Sequence, residues 1–220
     1  MKNKVVSLEH VMGFINDGVT MMVGGFLGVG SPHAIIDATV EKGVKDITLI
    51  SNDTCTPGVG NSKLIASKLV KTAIVSHIGT NPESGRQMMA GELEVQLTPQ
   101  GTLAERIRAA GVGLGGVLTP TGVGTDVAEG KEVLTIGDRQ YLLELPLKAD
   151  VAILKGSKVD TFGNVMYSKT TQNFNQVMAM AADVVIVEAE EVVDAGELDP
   201  SCVMTPGIFV DYIVNGETRG

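Results

Sequence analysis

The chain has 220 residues, 44% of them hydrophobic, and a formal net charge of −9. That is enough apolar material for one sizeable core in a single domain, and nothing in it suggests disorder or a collagen-like repeat. The negative charge repels phosphate backbones, and 4% aromatic residues with no tryptophan leave little to stack bases on, which argues against nucleic-acid binding. Cys55 and Cys202 form no CxxC pair and read as reduced thiols. No apolar run approaches the ~18 residues of a membrane span, so the expectation is a soluble, cytoplasmic protein.

In chain order, apolar residues near helical spacing predict a helix over Leu8 to Asp17, with Ser7 as N-cap and Gly18 as stop. Thr20–Val23 reads as a short strand that runs directly into Gly24-Gly25-Phe26-Leu27-Gly28-Val29-Gly30-Ser31-Pro32. Ser31 then suits the N-cap and Pro32 the first residue of a helix that ends at Gly43. Strands are expected at Ile47–Ser51, Ala73–Ser76 and Val95–Thr98. Thr102-Leu-Ala-Glu105 has the form of a capping box opening a helix to Ala110, closed by Gly111. Val133–Ile136 and Gln140–Leu145 flank Gly137-Asp138 as a β-hairpin. Val151–Lys155 and Val184–Val187 read as buried parallel strands, with a helix near Gln176–Ala182 between them. Strands alternating with helices predict an α/β fold: one domain over residues 1–220, with a doubly wound, mostly parallel sheet, helices on both faces and a small hairpin excursion. In such sheets ligands sit beyond the carboxyl ends of the strands, which singles out the loops after Val23, Ile50, Ser76 and Thr98.

The loop at 24–32 is the strongest local feature. Its four glycines let backbone N–H groups approach a ligand, and it feeds a helix N-terminus whose dipole favours anions. A thioester oxygen, a carboxylate or a pyrophosphate would each suit it; the bland alternative is a tight βα turn with no ligand. Its spacing matches neither a P-loop nor a dinucleotide fingerprint. A GxGxxG does occur at Gly111–Gly116, but after a helix rather than a strand, which is the wrong context for a dinucleotide.

Longer motifs narrow the choice. Asp17-Gly18, Val23-Gly24-Gly25-Phe26, Gly30 and Pro32 resemble the signature of class I CoA-transferase α subunits. So do Ser51-Asn52-Asp53, Ser76–Asn81, Thr98-Pro99-Gln100-Gly101-Thr102-Leu103-Ala104-Glu105-Arg106, Thr119–Thr125 and Met204–Gly207. The likeness covers nearly the whole chain and is strongest to the acetate/acetoacetate/butyrate type. It implies a ping-pong reaction in which a glutamate attacks an acyl-CoA and carries CoA as a glutamyl thioester. In the family that glutamate lies in a Glu-Asn-Gly-like or Glu-x-Gly-like motif of the β half. This chain has Ala128-Glu129-Gly130 but no Glu-Asn-Gly, so the resemblance implies no catalytic nucleophile here and a CoA-transferase β subunit as partner, in an α2β2 or α4β4 complex. A mean hydropathy of +0.21 agrees with an apolar docking face. The resemblance further implies contact of acyl-CoA with Gly24, Gly25, Phe26, Leu27, Gly28, Val29 and Gly30. It also implies that Asn52 and Gln100 orient the reacting carboxylate, since their amides can donate without adding charge. CoA enters as substrate, no cofactor is held permanently, and no metal is expected.

The remaining acids and bases have plain readings. Glu105 serves the capping box, Glu83 is a loop residue, and Glu188, Glu190 and Glu191 form a hydrated acidic rim, with Glu188 of some interest at a strand end. His10, His33 and His77 lack metal-ligand spacing, and His77 reads as a strand-end histidine bonded to backbone. Arg86, Arg106 and Arg108 are read as solvated helix residues. Two rival functions stay open: a sugar-phosphate isomerase on a similar scaffold, with Lys63, Lys68 or Lys71 on the phosphate, and a non-catalytic subunit that only binds acyl-CoA.

Overall fold

A computed structural model describes residues 3–216. Side chains alternate across a strand, so a strand covered on both faces must be apolar at nearly every position. β1 (Thr20–Val23) meets that demand. Met21 and Val23 pack on one face with Ile35, Ile36, Leu64 and Ile65, while Met22 packs on the other with Leu103, Ile107 and Met178, all of them 0% exposed. Each such side chain contributes about 1.5–3 kcal/mol of transfer free energy.

Around β1 the sheet adds β2 (Ile47–Ser51), β3 (Val70–Val75) and β4 (Glu94–Leu97) on one side, and β8 (Ala149–Asp160), β10 (Ala182–Val193) and β11 (Tyr212–Asn215) on the other. The order β11-β10-β8-β1-β2-β3-β4 is parallel throughout, with β9 (Val165–Met166) antiparallel on β8. Helices α1 (Leu8–Met12), α2 (His33–Lys42) and α3 (Ser62–Ala66) cover one face, and α5 (Gln100–Gly111) and α6 (Asn175–Met178) the other. The expected doubly wound α/β sheet is therefore present. The chain leaves β1 toward β2 and later returns beside β1 as β8, so the winding reverses between β1 and β8 and the loop after β1 opens at that switch point. The expected hairpin is β6 (Val133–Ile136) with β7 (Arg139–Glu144), and β5 (Val117–Thr119) adds a third strand.

Several boundaries differ for identifiable reasons. Gly13 stops α1 at Met12, and the chain to Asp17 continues as turns. α2 begins at His33, with Pro32 preceding it and no side-chain cap from Ser31; Gly43 ends it at φ 69°, the left-handed stop expected there. The capping box does not form. Pro99 carries φ −51°, the Leu103 N–H already donates to its carbonyl at 2.8 Å, and α5 starts at Gln100. Thr102 is thus buried inside the helix and Glu105 pairs with Arg108 at 2.6 Å. Glu83 lies in helix α4 (Pro82–Met89), capped by Asn81, rather than in a loop. The helix near Gln176 covers only Asn175–Met178, because Ala182 already begins β10. Sequence patterning missed the eight-residue α4, and also α3, β5, β9 and β11, each of five residues or fewer. Among the described residues no helix is long and apolar enough to cross a membrane.

Candidate functional site

The glycine loop is held from three sides. Phe26 and Val29 exchange both backbone hydrogen bonds (3.0 and 2.9 Å) across Leu27 and Gly28, whose φ values of 50° and 86° give the two positive angles of a type I′ turn. The Gly24 N–H donates to the Ile153 carbonyl at 3.0 Å, Gly25 N–H to Asn173 Oδ1 at 3.0 Å and Leu27 N–H to Asp53 Oδ2 at 2.9 Å. Most of the N–H groups that sequence reasoning offered to a ligand are thus already bonded within the chain. Leu27 sits in a region that disfavours a branched side chain by ~1 kcal/mol. Leu27→Asn restores the favoured Asn-Gly turn and is expected to raise the melting temperature by about 2–4 °C. A fall in calorimetry would show that the Leu27 side chain's packing outweighs the strain.

The glycines are needed for space as well as conformation. A Cβ on Gly24 would lie 1.7 Å from Asn175 Oδ1, one on Gly30 2.5 Å from the Thr171 carbonyl oxygen, and one on Gly28 2.2 Å from Val59. The neighbours of Gly24 and Gly30 come from the segment at 168–175, which lies across the loop as a strap. Asn173 Nδ2 donates to the Val29 and Thr171 carbonyls, and Asn175 Nδ2 to those of Thr171, Lys155 and Gly30. Asn173 takes an uncommon φ of 25° to do this, and Lys169 one of 54°.

The helix terminus behind the loop is not open. Glu188, from the middle of β10, sends its carboxylate to the first turn of α2, where Oε2 accepts from the Ala34 N–H at 2.8 Å and the Ile35 N–H at 3.1 Å. Lys155, its cross-strand neighbour, approaches Oε1 at 3.7 Å. Glu188 is 2% exposed, so the hydrated-rim reading is wrong for it, although Glu190 and Glu191 are exposed as expected. Burial raises its pKa, opposed by the α2 N–H groups and Lys155. His33 Nε2 lies 3.1 Å from the Gly28 carbonyl, to which it must donate; burial and Lys155 lower its pKa and favour the neutral ring.

Beside the loop is an open cleft of about 490 Å³ lined by Phe26, Asn52, Gln100, Lys169, Thr170, Gln172, Asn173 and Phe174. Phe26, Asn52 and Gln100, picked from three separate motifs, meet here. Gln100 Nε2 donates to Asn52 Oδ1 at 2.9 Å, and Ser76 Oγ donates to the same oxygen at 2.9 Å. Asn52 is buried at the end of β2, and its own amide nitrogen donates to none of the described residues; Gln100 is exposed at the start of α5. Such paired amides offer uncharged donors to a carboxylate or thioester oxygen. Among the described residues Lys169 is the one charged lining residue, and none of them brings a carboxylate to the lining.

The other candidates lie elsewhere or are committed. Glu83 bonds Arg86 and Gln87, an arrangement that holds its carboxyl down at about 2. Arg86 also reaches Glu92, Arg106 donates to the Leu145 carbonyl, and Glu129 is exposed near the three-stranded sheet. His77 is exposed, with its carbonyl, not its ring, bonded to the Thr54 N–H. Burial, then Asp53, pushes the Cys55 thiol up to about 12, so it is no thiolate near neutral pH. No group of three or more metal-ligating side chains occurs among the described residues. Sequence reasoning assigned no role to Asp53, Asn173, Asn175 or Lys169, although Asp53 lies in the Ser51-Asn52-Asp53 motif and Asn173-Phe-Asn175 is a pair of amides.

The description "Coenzyme A transferase" belongs to the family model that matches residues 5–216. The chain is 50% identical over 214 residues to the acetate CoA-transferase subunit alpha of Escherichia coli K12, covering 97% of each. It is 53% identical over 214 residues to the acetoacetyl-CoA:acetate/butyrate CoA transferase alpha subunit of Clostridium acetobutylicum, covering 97% of this chain and 98% of that one. Among solved structures, an acyl-CoA transferase from E. coli O157:H7 in a thioester complex with CoA superposes with a TM-score of 0.85 at 22% identity. The match covers 97% of this chain and 47% of that one, so this chain spans about half its length; at that identity the likeness concerns the fold.

Proposed function

The chain belongs to the coenzyme A transferase family, and on that premise we propose that it is the α subunit of a heteromeric enzyme moving CoA between a short-chain acyl-CoA and a free carboxylate. Acetate and butyrate, named in its relatives, are acids of the right class, as is acetoacetate, the acid of the acetoacetyl-CoA named there. The observation that carries the reading is the convergence of Phe26, Asn52 and Gln100 on one cleft that has amide donors, a cation and no carboxylate of its own.

In this reading residues 1–220 form one domain and supply one wall of the site. A glutamate of the β subunit attacks the thioester carbonyl, CoA leaves as thiolate, and an acyl-glutamyl anhydride forms. The thiolate then attacks the glutamyl carbonyl and releases the first carboxylate. The incoming carboxylate repeats the two steps in reverse. Asn52 and Gln100 donate to the carboxylate oxygens, and residues 24–30 line the path of the acyl-CoA, which is a substrate rather than a resident cofactor. Phe26 and Val29, 40% and 49% exposed at the loop tip, suit burial against the partner chain in an α2β2 or α4β4 assembly.

Turnover is expected only after mixing with the β chain. Labelled borohydride should reduce the thioester and mark a glutamate of that chain. Robust turnover by this chain alone, or label recovered in it, would refute the split site. Two observations count against a sugar-phosphate isomerase: Lys63 and Lys68 are paired with Asp37 and Glu92 at 2.6 and 3.1 Å, and Glu188 already fills the α2 terminus. Calorimetric titration should accordingly favour acetyl-CoA over ribose 5-phosphate with the assembled complex.

A further inference from the structure

We propose that Glu188 is a positioning residue of the transfer site, an internal carboxylate that occupies the anion seat of α2 and thereby fixes the Gly24–Pro32 loop. The inference rests on the CoA-transferase reading of the cleft and extends it to a residue outside that cleft.

A helix N-terminus at the switch point of a parallel sheet is where an α/β protein commonly receives a ligand anion. Here the seat is taken from within. One oxygen of Glu188 accepts from both Ala34 and Ile35, and the residue is 2% exposed. Burying a carboxylate costs several kcal/mol unless its hydrogen bonds are met. Two N–H donors, the positive end of a ten-residue helix and Lys155 at 3.7 Å offset that cost in part.

The bonds form a continuous path to the loop. Glu188 fixes the first turn of α2; His33, the first residue of that helix, bonds the Gly28 carbonyl at 3.1 Å; and Gly28 is the second central residue of the turn that carries Phe26 into the cleft. The strap fixes the same loop from the other side through Asn173 and Asn175. An acyl-CoA phosphate or a substrate carboxylate therefore finds no vacancy at α2 and must be received elsewhere, for which the cleft offers polar groups that include the Asn52–Gln100 amides and Lys169.

The test uses the assembled αβ complex and the variants Glu188→Gln, Glu188→Asp and Glu188→Ala. Gln keeps an oxygen that accepts from both N–H groups, so kcat should stay within about threefold of the unsubstituted complex. Asp keeps the charge but is one methylene too short to reach both groups, and kcat should fall about tenfold or more, with KM for acyl-CoA changing much less. Ala should fall further, because misplacing a site by ~1 Å costs about 10²-fold. In the Ala variant the emptied seat should bind formate, giving a saturable rise in melting temperature and in kcat that the unsubstituted complex does not show. Should Ala fail to fold, the Gln and Asp comparison decides alone. The inference is overturned if Asp retains full kcat, if Gln loses as much as Asp, or if Ala folds with a lower melting temperature and unchanged kcat. An inactive unsubstituted complex would instead overturn the CoA-transferase reading.

Discussion

Gln100→Ala in the assembled complex is expected to lower kcat about 10²-fold while subunit assembly and melting temperature stay near those of the unsubstituted protein. The size follows from the role proposed for the amide. Removing one preorganised donor from a site where negative charge develops on oxygen costs about 2.7–4 kcal/mol, or 10²–10³ in rate. The lower end applies because Asn52 offers a second amide nitrogen beside it that donates to none of the described residues. The structural cost should be small: Gln100 is exposed at the first position of α5, and Asn52 keeps its bond from Ser76. Gln100→Glu should do more harm than Ala, since it removes the donor and sets a negative charge against an incoming carboxylate. Steady-state kinetics with size-exclusion chromatography distinguish the outcomes. Unchanged turnover in Gln100→Ala would remove the catalytic role and favour a subunit that only binds acyl-CoA.

The second large effect is expected at Gly24, where the reason is space. Its φ is not in the left-handed region, so alanine would suit its backbone, but the new Cβ would lie 1.7 Å from Asn175 Oδ1. Asn175 is fully buried and tied by Nδ2 to the carbonyls of Gly30, Lys155 and Thr171, so it cannot retreat without breaking those bonds. Overpacking and buried polar groups left unpaired cost roughly 1–3 kcal/mol each. Gly24→Ala should therefore destabilise the chain by about 2–5 kcal/mol, or lower its melting temperature by roughly 5–20 °C. Gly85 provides the contrast: it lies inside α4, and a Cβ added there would meet nothing within 4 Å. Gly85→Ala should stabilise by about 0.5–1 kcal/mol. Equal melting temperatures for the two variants would mean that the strap does not press on the loop as described.

What could be read from the sequence was what neighbouring residues determine together. Thr20–Val23 is apolar at both parities and so had to be a strand covered on both faces, and β1 has those bounds. Gly43 and Ser7 act locally, Gly43 ending α2 and Ser7 capping the start of α1 as expected. The alternation of such segments was enough for the doubly wound sheet, and long motifs were enough for the family. Helix starts were harder, because the groups that satisfy the first N–H donors need not be neighbours in sequence. At α5 Pro99 won over the Thr102–Glu105 box, and at α2 the expected Ser31 cap gave way to an acceptor from another strand.

That last case marks the boundary between the two kinds of information. A glycine-rich turn before a helix determines by itself that backbone N–H groups will gather there, since glycines carry no capping side chain and the first helical turn has no preceding intrahelical carbonyl. Whether a ligand or the protein satisfies them depends on what the sheet brings alongside. Glu188 lies 154 residues from Ala34, and only the parallel pairing of β1, β8 and β10 sets its carboxylate against that helix terminus. The parallel pairing of β1, β2, β3 and β4, joined by crossovers through α2, α3 and α4, brings Phe26, Asn52 and Gln100 to one cleft. Local sequence determined the hydrogen-bonding demand at each end of each element; long-range packing decided which groups meet it, because the free energy of burying a charge or an amide depends on partners that adjacent residues do not specify.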